Sequence, residues 1–225
     1  MNLAAPGVFC FLDSLAGSAL GPFARKVERL GYSVLWYTEG FGRESLSLGT
    51  YLLSQTERLI IASGIAVAFC REPIAASNAA RALSELFPGR FILGLGVSNA
   101  AGNQRRGVRY ESPVAFMRGY LGGMKTAPHG APPPPTDAPV VLGSLNPRMT
   151  ALAAPETAGA LTYFTPPEKT AQIRAALGLE KWLCAEQAVL LEQDATRARA
   201  AARAYMSSYL RIPHYATMLG TVGFK

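Results

Sequence analysis

The runs Leu59–Cys70 (LIIASGIAVAFC) and Arg90–Asn99 (RFILGLGVSN) bracket about twenty residues of helical pattern opened by Pro73. Both runs are rich in β-branched and small apolar residues, and a helix between them makes a parallel β-α-β unit. The second run closes on Gly94-Leu95-Gly96 and then turns polar. In α/β folds ligands are received at such carboxyl ends of strands.

Outward from this unit, strand and helix keep alternating. Towards the N-terminus, Gly7–Asp13 reads as a strand. The helix after it places Phe23, Val27 and Leu30 on one face and stops at Gly31. Val34–Thr38 is the next strand, with Glu39 at its carboxyl end and a helix around Leu46–Gln55. Towards the C-terminus, Phe91–Val97 is a strand and Asn99–Gly107 a polar loop, followed by a helix over Pro113–Met124. Ala131–Pro139 carries four consecutive prolines and reads as a stiff polyproline connector. Strands follow at Val140–Gly143, Ala158–Phe164 and Leu183–Leu191, and Ala195 to Leu219 is helical.

Seven strand–helix alternations without consecutive strands favour a parallel sheet with helices outside. The dinucleotide signature fails, because Asn99 stands where its third glycine belongs and no acidic residue follows ~20 positions on. The expected fold is therefore α/β, a (β/α)8 TIM barrel. Closure needs eight strands, and such barrels typically run to ~250 residues. With seven strands counted, residues 1–225 are expected to form a single, C-terminally truncated barrel domain lacking the eighth βα unit. Its first and last strands would then expose unpaired edges beside an apolar core.

Composition narrows the function classes. With 49% apolar and 16% charged residues over 225 positions, the chain can bury a sizeable core. No apolar run approaches the ~20 residues of a bilayer span, and no secretory leader opens the chain, so no membrane partner and a cytoplasmic location are expected. The net charge of +7 comes from scattered basic residues without a nucleic-acid motif, so no nucleic-acid partner is expected. Cys10, Cys70 and Cys184 form no CxxC pattern and read as buried free thiols. His129 and His214 stand alone, and no metal site is expected.

Two helix starts are well marked. Asn146-Pro147 offers an N-cap side chain and a proline at the first helical position. Thr165-Pro166-Pro167-Glu168 has the spacing of a capping box. Each places free backbone N–H groups at a strand's carboxyl end, where phosphate or carboxylate is favoured.

The segments GVFCFLD, LGYSVLWYTEGFGRESL, ASGIAVAFCREPIAASNAARALSELFPGRFILGLGVSN, YESPVAFMRGYLGGM, VVLGSLNPRMTALAAPETAGALTYFTPPEKT and YLRIPHYATMLGTVGF resemble, in order, the luciferase-like, F420-dependent oxidoreductases. The resemblance covers nearly the whole chain. It implies a barrel binding coenzyme F420, with FMN as the alternative, and a small organic substrate accepting or giving a hydride. An FMN-dependent luciferase-like monooxygenase, or a catalytically silent barrel acting as a binding protein, are the other readings. A homodimer stands as one assembly option.

Residue by residue, the resemblance gives Gly64-Ile65 the place of a bulge with a non-proline cis peptide that backs the cofactor ring. It sets Asn99 beside the ring and Gly143-Ser144-Leu145-Asn146 on the phosphate side, with Thr165 contributing from the next strand. Glu39, in WYTEGF, takes the place of an acidic or histidine residue near the reactive carbon, and is the candidate catalytic residue, a carboxylate that can serve as general acid or base if burial raises its pKa. Gly40 stands where some relatives carry histidine. The other reading of Glu39 is an ordinary ion pair with Arg43, or a bond to a backbone amide.

Overall fold

The computed structural model describes residues 1, 3 and 5–224 and contains one curved parallel sheet with helices on its outer side. The strands are β1 (Val8–Cys10), β2 (Val34–Tyr37), β3 (Ile60–Ser63), β4 (Ala66–Val67), β5 (Phe91–Gly96), β6 (Val140–Gly143), β7 (Gly159–Thr162) and β8 (Trp182–Ala185). Between them run α1 (Gly17–Arg29), α2 (Ser45–Ser54), α3 (Pro73–Leu86), α4 (Ala100–Arg105), α5 (Pro113–Lys125), α6 (Pro147–Glu156) and α7 (Pro167–Leu177), and α8 (Ala195–Leu210) and α9 (Pro213–Gly220) follow the last strand. Pairing runs β1-β2-β3-β5-β6-β7-β8, and β4 also pairs with β5. Among the described residues no ladder joins β8 to β1, so the barrel is open there.

Period-two alternation sorts the strand residues into two cores. Leu35, Tyr37, Ile61, Phe91, Leu93, Leu95 and Leu142 pack against the helices. Val34, Trp36, Ile60, Ala62, Ile92, Val141 and Leu161 form the barrel interior, with Phe9, Ile65, Trp182 and Cys184 against them. Nearly every position of β2, β3 and β5 is buried, as expected of strands covered on both faces.

Several boundaries differ from the sequence reading. The run Leu59–Cys70 is two short strands, because the register against β5 slips by one residue. Ala62 pairs with Ile92 and Ala66 with Leu95, so four steps on one side face three on the other. That is a β-bulge at 63–65, and the Gly64–Ile65 peptide within it is cis, as the resemblance implied. Residues 68–70 then form a 3₁₀ turn, which leaves Cys70 exposed rather than buried; Cys10 and Cys184 are half-buried.

Leu30 caps α1 and is 64% exposed, while Leu20, Ala24 and Val27 form the buried stripe. Gly31 follows with φ +80, the left-handed stop that glycine permits. The polar loop Asn99–Gly107 contains α4. Asn99 caps that helix by accepting from the Gly102 amide at 2.8 Å.

The capping box at Thr165 is absent. Pro166 takes the N-cap position, and the Thr165 hydroxyl pairs instead with that of Thr170 at 3.1 Å. The strand expected at Leu183–Leu191 stops at Ala185, because its single neighbour β7 stops at Thr162. Beyond it Val189 and Leu191 are exposed. α8 buries none of its residues. α9 docks through Met218 and Leu219, and through the buried Lys169 ammonium, which donates to Thr221 Oγ1 at 3.2 Å and Gln172 Oε1 at 3.4 Å.

Candidate functional site at the carboxyl ends of the strands

Small residues on β5 and β6 are what let the bulge sit in the barrel. A Cβ on Gly94 would lie 1.8 Å from the Ser63 carbonyl oxygen, and one on Gly96 would lie 2.2 Å from Ile65 Cδ1. A Cβ on Gly143 would lie 3.1 Å from Ile65 Cγ2. The Gly-Leu-Gly of β5 is therefore a seat for the neighbouring strand rather than a phosphate loop. Ser63 locks the seat, its hydroxyl donating to Gly94 O at 2.8 Å and accepting from Gly94 N at 2.9 Å.

Glu39 belongs to the other side of the sheet. Two residues beyond the helix-facing Tyr37, its carboxylate accepts from Val67 N at 2.5 Å, Ser45 N at 3.1 Å and both terminal nitrogens of Arg71, Nη1 at 2.9 Å. Arg71 also donates to Val67 O and to Glu44 Oε1, each at 2.9 Å. The Glu39 and Arg71 side chains are 8% and 9% exposed. Burial alone would lower the Arg71 pKa, but the hydrogen bonds and charges of Glu39 and Glu44 outweigh it and raise it. The partner of Glu39 is Arg71. Arg43 instead binds Leu12 O, Leu15 O and the Asp13 carboxylate.

The expected anion loop is well ordered by its own bonds. Asn146 caps α6, its side chain accepting from Met149 N at 2.9 Å. The buried Ser144 hydroxyl pairs with Thr150 Oγ1 at 2.8 Å. Gly143 and the half-buried Leu145 lie at the same strand end. Asn99 stands one strand away, where Arg105 of α4 and Arg106 just after it stack on Phe41 with guanidinium carbons 4.1 and 4.4 Å from the ring centroid. Arg106 also donates to Gly40 O at 2.7 Å, tying α4 to the loop after β2.

A cavity of about 1460 Å³ opens where β1 and β8 do not meet. Of the candidate cofactor-binding and catalytic residues read from sequence, Thr165 alone lines it. Gly64 borders it indirectly, since a Cβ there would lie 2.7 Å from Phe9. The cavity wall carries Phe9, Trp36, Trp182 and Tyr163 from the barrel interior and Tyr205 from α8. The Tyr163 hydroxyl bonds to those of Tyr205, at 3.1 Å, and Tyr209. Burial, then these hydroxyls, pushes the Tyr163 pKa far up. Among the described residues no group of three or more metal-binding side chains assembles, and no helix is long and apolar enough to cross a membrane.

The family model described as luciferase-like monooxygenase matches residues 13–221. The chain belongs to this family. A curated relative, 5,10-methylenetetrahydromethanopterin reductase of Methanolobus tindarius, is 25% identical over 208 residues, covering 80% of this chain and 64% of the relative. The chain thus spans just under two thirds of that relative's length. A solved F420-dependent secondary alcohol dehydrogenase, bound to an F420–acetone adduct, superposes with TM-score 0.69 and 14% identity over 80% of this chain and 67% of its own. The monooxygenase RslO1 of Streptomyces bottropensis gives TM-score 0.73 and 14% identity over 96% and 79%. At such identities the two structures establish the shared barrel fold.

Proposed function

We propose that this chain is an oxidoreductase whose barrel mouth binds coenzyme F420 and passes a hydride between it and a small organic substrate. The observation that carries this reading is the family match across residues 13–221. The site is compatible with such a group. A bulge held between glycines lies beside a cavity walled by aromatic rings, a surface suited to a flat tricyclic ring. When bound, the cofactor supplies the redox chemistry, and the chain supplies orientation and electrostatics.

On this reading Gly64 and Ile65 back the ring, Asn99 flanks it, and Gly143 to Asn146 with Thr165 receive the phosphate side. Glu39 is a positioning residue that holds the segment after the bulge through Val67 and Arg71. For it to exchange a proton, a buried ion pair would have to open.

Titration of the purified chain with F420 and, separately, with FMN tests the proposal by cofactor fluorescence. Saturable binding of F420 is the expected result. Binding of FMN alone supports the flavin alternative, and binding of neither supports a silent barrel. Asn146→Asp sharpens the test, because aspartate caps a helix as well as asparagine but adds a negative charge at the phosphate side. F420 affinity should fall about three- to tenfold in this variant, with the denaturation midpoint unchanged. Unchanged affinity would mean that the phosphate sits elsewhere.

A further inference from the structure

Along β8 the side chains alternate, Trp182 and Cys184 packing with the barrel interior and Leu183 with the helix-facing core. One period-two step beyond Cys184 stands Glu186, which lines the cavity between β1 and β8. Its carboxylate accepts one hydrogen bond, from Phe164 N at 3.2 Å, and among the described residues no cation pairs with it. Burial pushes its pKa above the ordinary carboxylate range, against the pull of the Phe164 amide. In contrast to Glu39, it meets the aromatic cavity and has bonding capacity to spare.

We propose that Glu186 is the substrate-contacting polar group of this cavity, donating a hydrogen bond to the carbonyl oxygen of a small, otherwise apolar ligand. The inference deepens the oxidoreductase reading by naming the substrate class, a ketone or aldehyde with an aliphatic or ring body. The aromatic wall buries that body, at about 25 cal/mol per Å² of apolar surface removed from water. The protonated carboxyl orients the oxygen. Once ionised, the carboxylate can only accept and repels a carbonyl.

Affinity should therefore be high at low pH and fall as Glu186 ionises. Other titratable groups face it. Burial raises the pKa of Tyr163 on β7 and Tyr215 on α9, lifts Tyr205 on α8 to about 12, and lifts Cys184 on β8 to about 11. Tyr209 is a further neighbouring phenol, and Arg174 of α7, Lys181 and Arg199 of α8 also line the cavity. His214, stacked on Tyr215, has its pKa lowered by burial, so the test needs a Glu186 variant as control.

The chain's two tryptophans, Trp36 and Trp182, both line the cavity, so their fluorescence reports occupancy directly. Cyclohexanone is the probe, with no cofactor added. Binding should weaken about tenfold or more from acidic to neutral pH in the native chain. Glu186→Gln, whose amide still donates, should bind with no such pH dependence, and Glu186→Ala should bind about tenfold more weakly at acidic pH. A pH dependence that persists in Glu186→Gln overturns the proposal, as does the absence of any tryptophan response. So does cyclohexylammonium binding more tightly than cyclohexanone as pH rises, which would mark a cation site. These outcomes are independent of whether F420 binds, so failure of this inference and failure of the cofactor reading are told apart.

Discussion

Replacing Gly94 with alanine should leave little folded protein. The added Cβ would fall 1.8 Å from the Ser63 carbonyl oxygen and 3.0 Å from the Ser63 carbonyl carbon, both backbone atoms in the middle of the sheet. Neither can retreat cheaply, because β3 is laddered on both sides and Gly94 N and O are both bonded to the Ser63 hydroxyl. Relief would require separating β3 from β5, at more than about 4 kcal/mol. That is a large share of the ~5–15 kcal/mol that holds a typical domain together. Circular dichroism and the urea midpoint measure the loss. Gly96→Ala is the comparison, since its Cβ would press on the Ile65 side chain rather than on backbone. An overpacked side chain that can rotate should cost about 1–3 kcal/mol. Equal, mild effects in both variants would contradict the idea that the Gly-Leu-Gly of β5 exists to seat the bulge.

The same glycines show where reading the sequence works and where it stops. Alternating strand and helix patterns located every strand core, because strands buried on both faces are continuous apolar runs. Asn146 and Gly31 were legible as caps, since their signals are local. The roles of Gly94 and Gly96 were not, because the atoms they make room for lie about thirty residues away, on Ser63 and Ile65. The missing capping box at Thr165 has a local cause: Pro166 takes over the N-cap and Pro167 has no N–H to offer.

At α4 the signal was present in Asn99 and its acceptance from Gly102, but the polar composition of AAGNQRRG masked it. Glu39 drew notice by standing at a strand end, although counting by twos from Trp36 puts it on the helix side. Counting by twos from Trp182 puts Glu186 inside. That parity was available in the sequence, but the reading of one long strand over Leu183–Leu191 hid where the inward face reaches the mouth.

Arg71→Ala should destabilise the fold by about 3–5 kcal/mol, the cost of stranding a buried charge when its partner is removed. The guanidinium bridges Glu39, Glu44 and Val67 O, and so joins the end of β2, the start of α2 and the segment after the bulge. In Arg71→Ala the Glu39 carboxylate keeps the Val67 and Ser45 amides but loses its neutralising charge at 8% exposure. Arg71→Lys should recover part of the loss, since an ammonium restores charge but not the two-pronged geometry. The double variant Arg71→Met with Glu39→Gln should be milder than Arg71→Ala, because neither partner is left charged and alone.

Acid should weaken the same corner. Although burial opposes it, the Leu46 and Ser47 amides, the Ser47 hydroxyl and Arg71 together lower the Glu44 pKa. A depressed carboxylate contributes stability above its unfolded pKa, and that contribution disappears as pH falls through the folded value. The native chain should thus lose stability below about pH 4, and Glu44→Gln should flatten that part of the profile. Denaturation midpoints against pH for the native chain and these variants decide the matter. An Arg71→Ala midpoint within about 0.5 kcal/mol of native would show that water reaches Glu39 and that this corner does not brace the bulge.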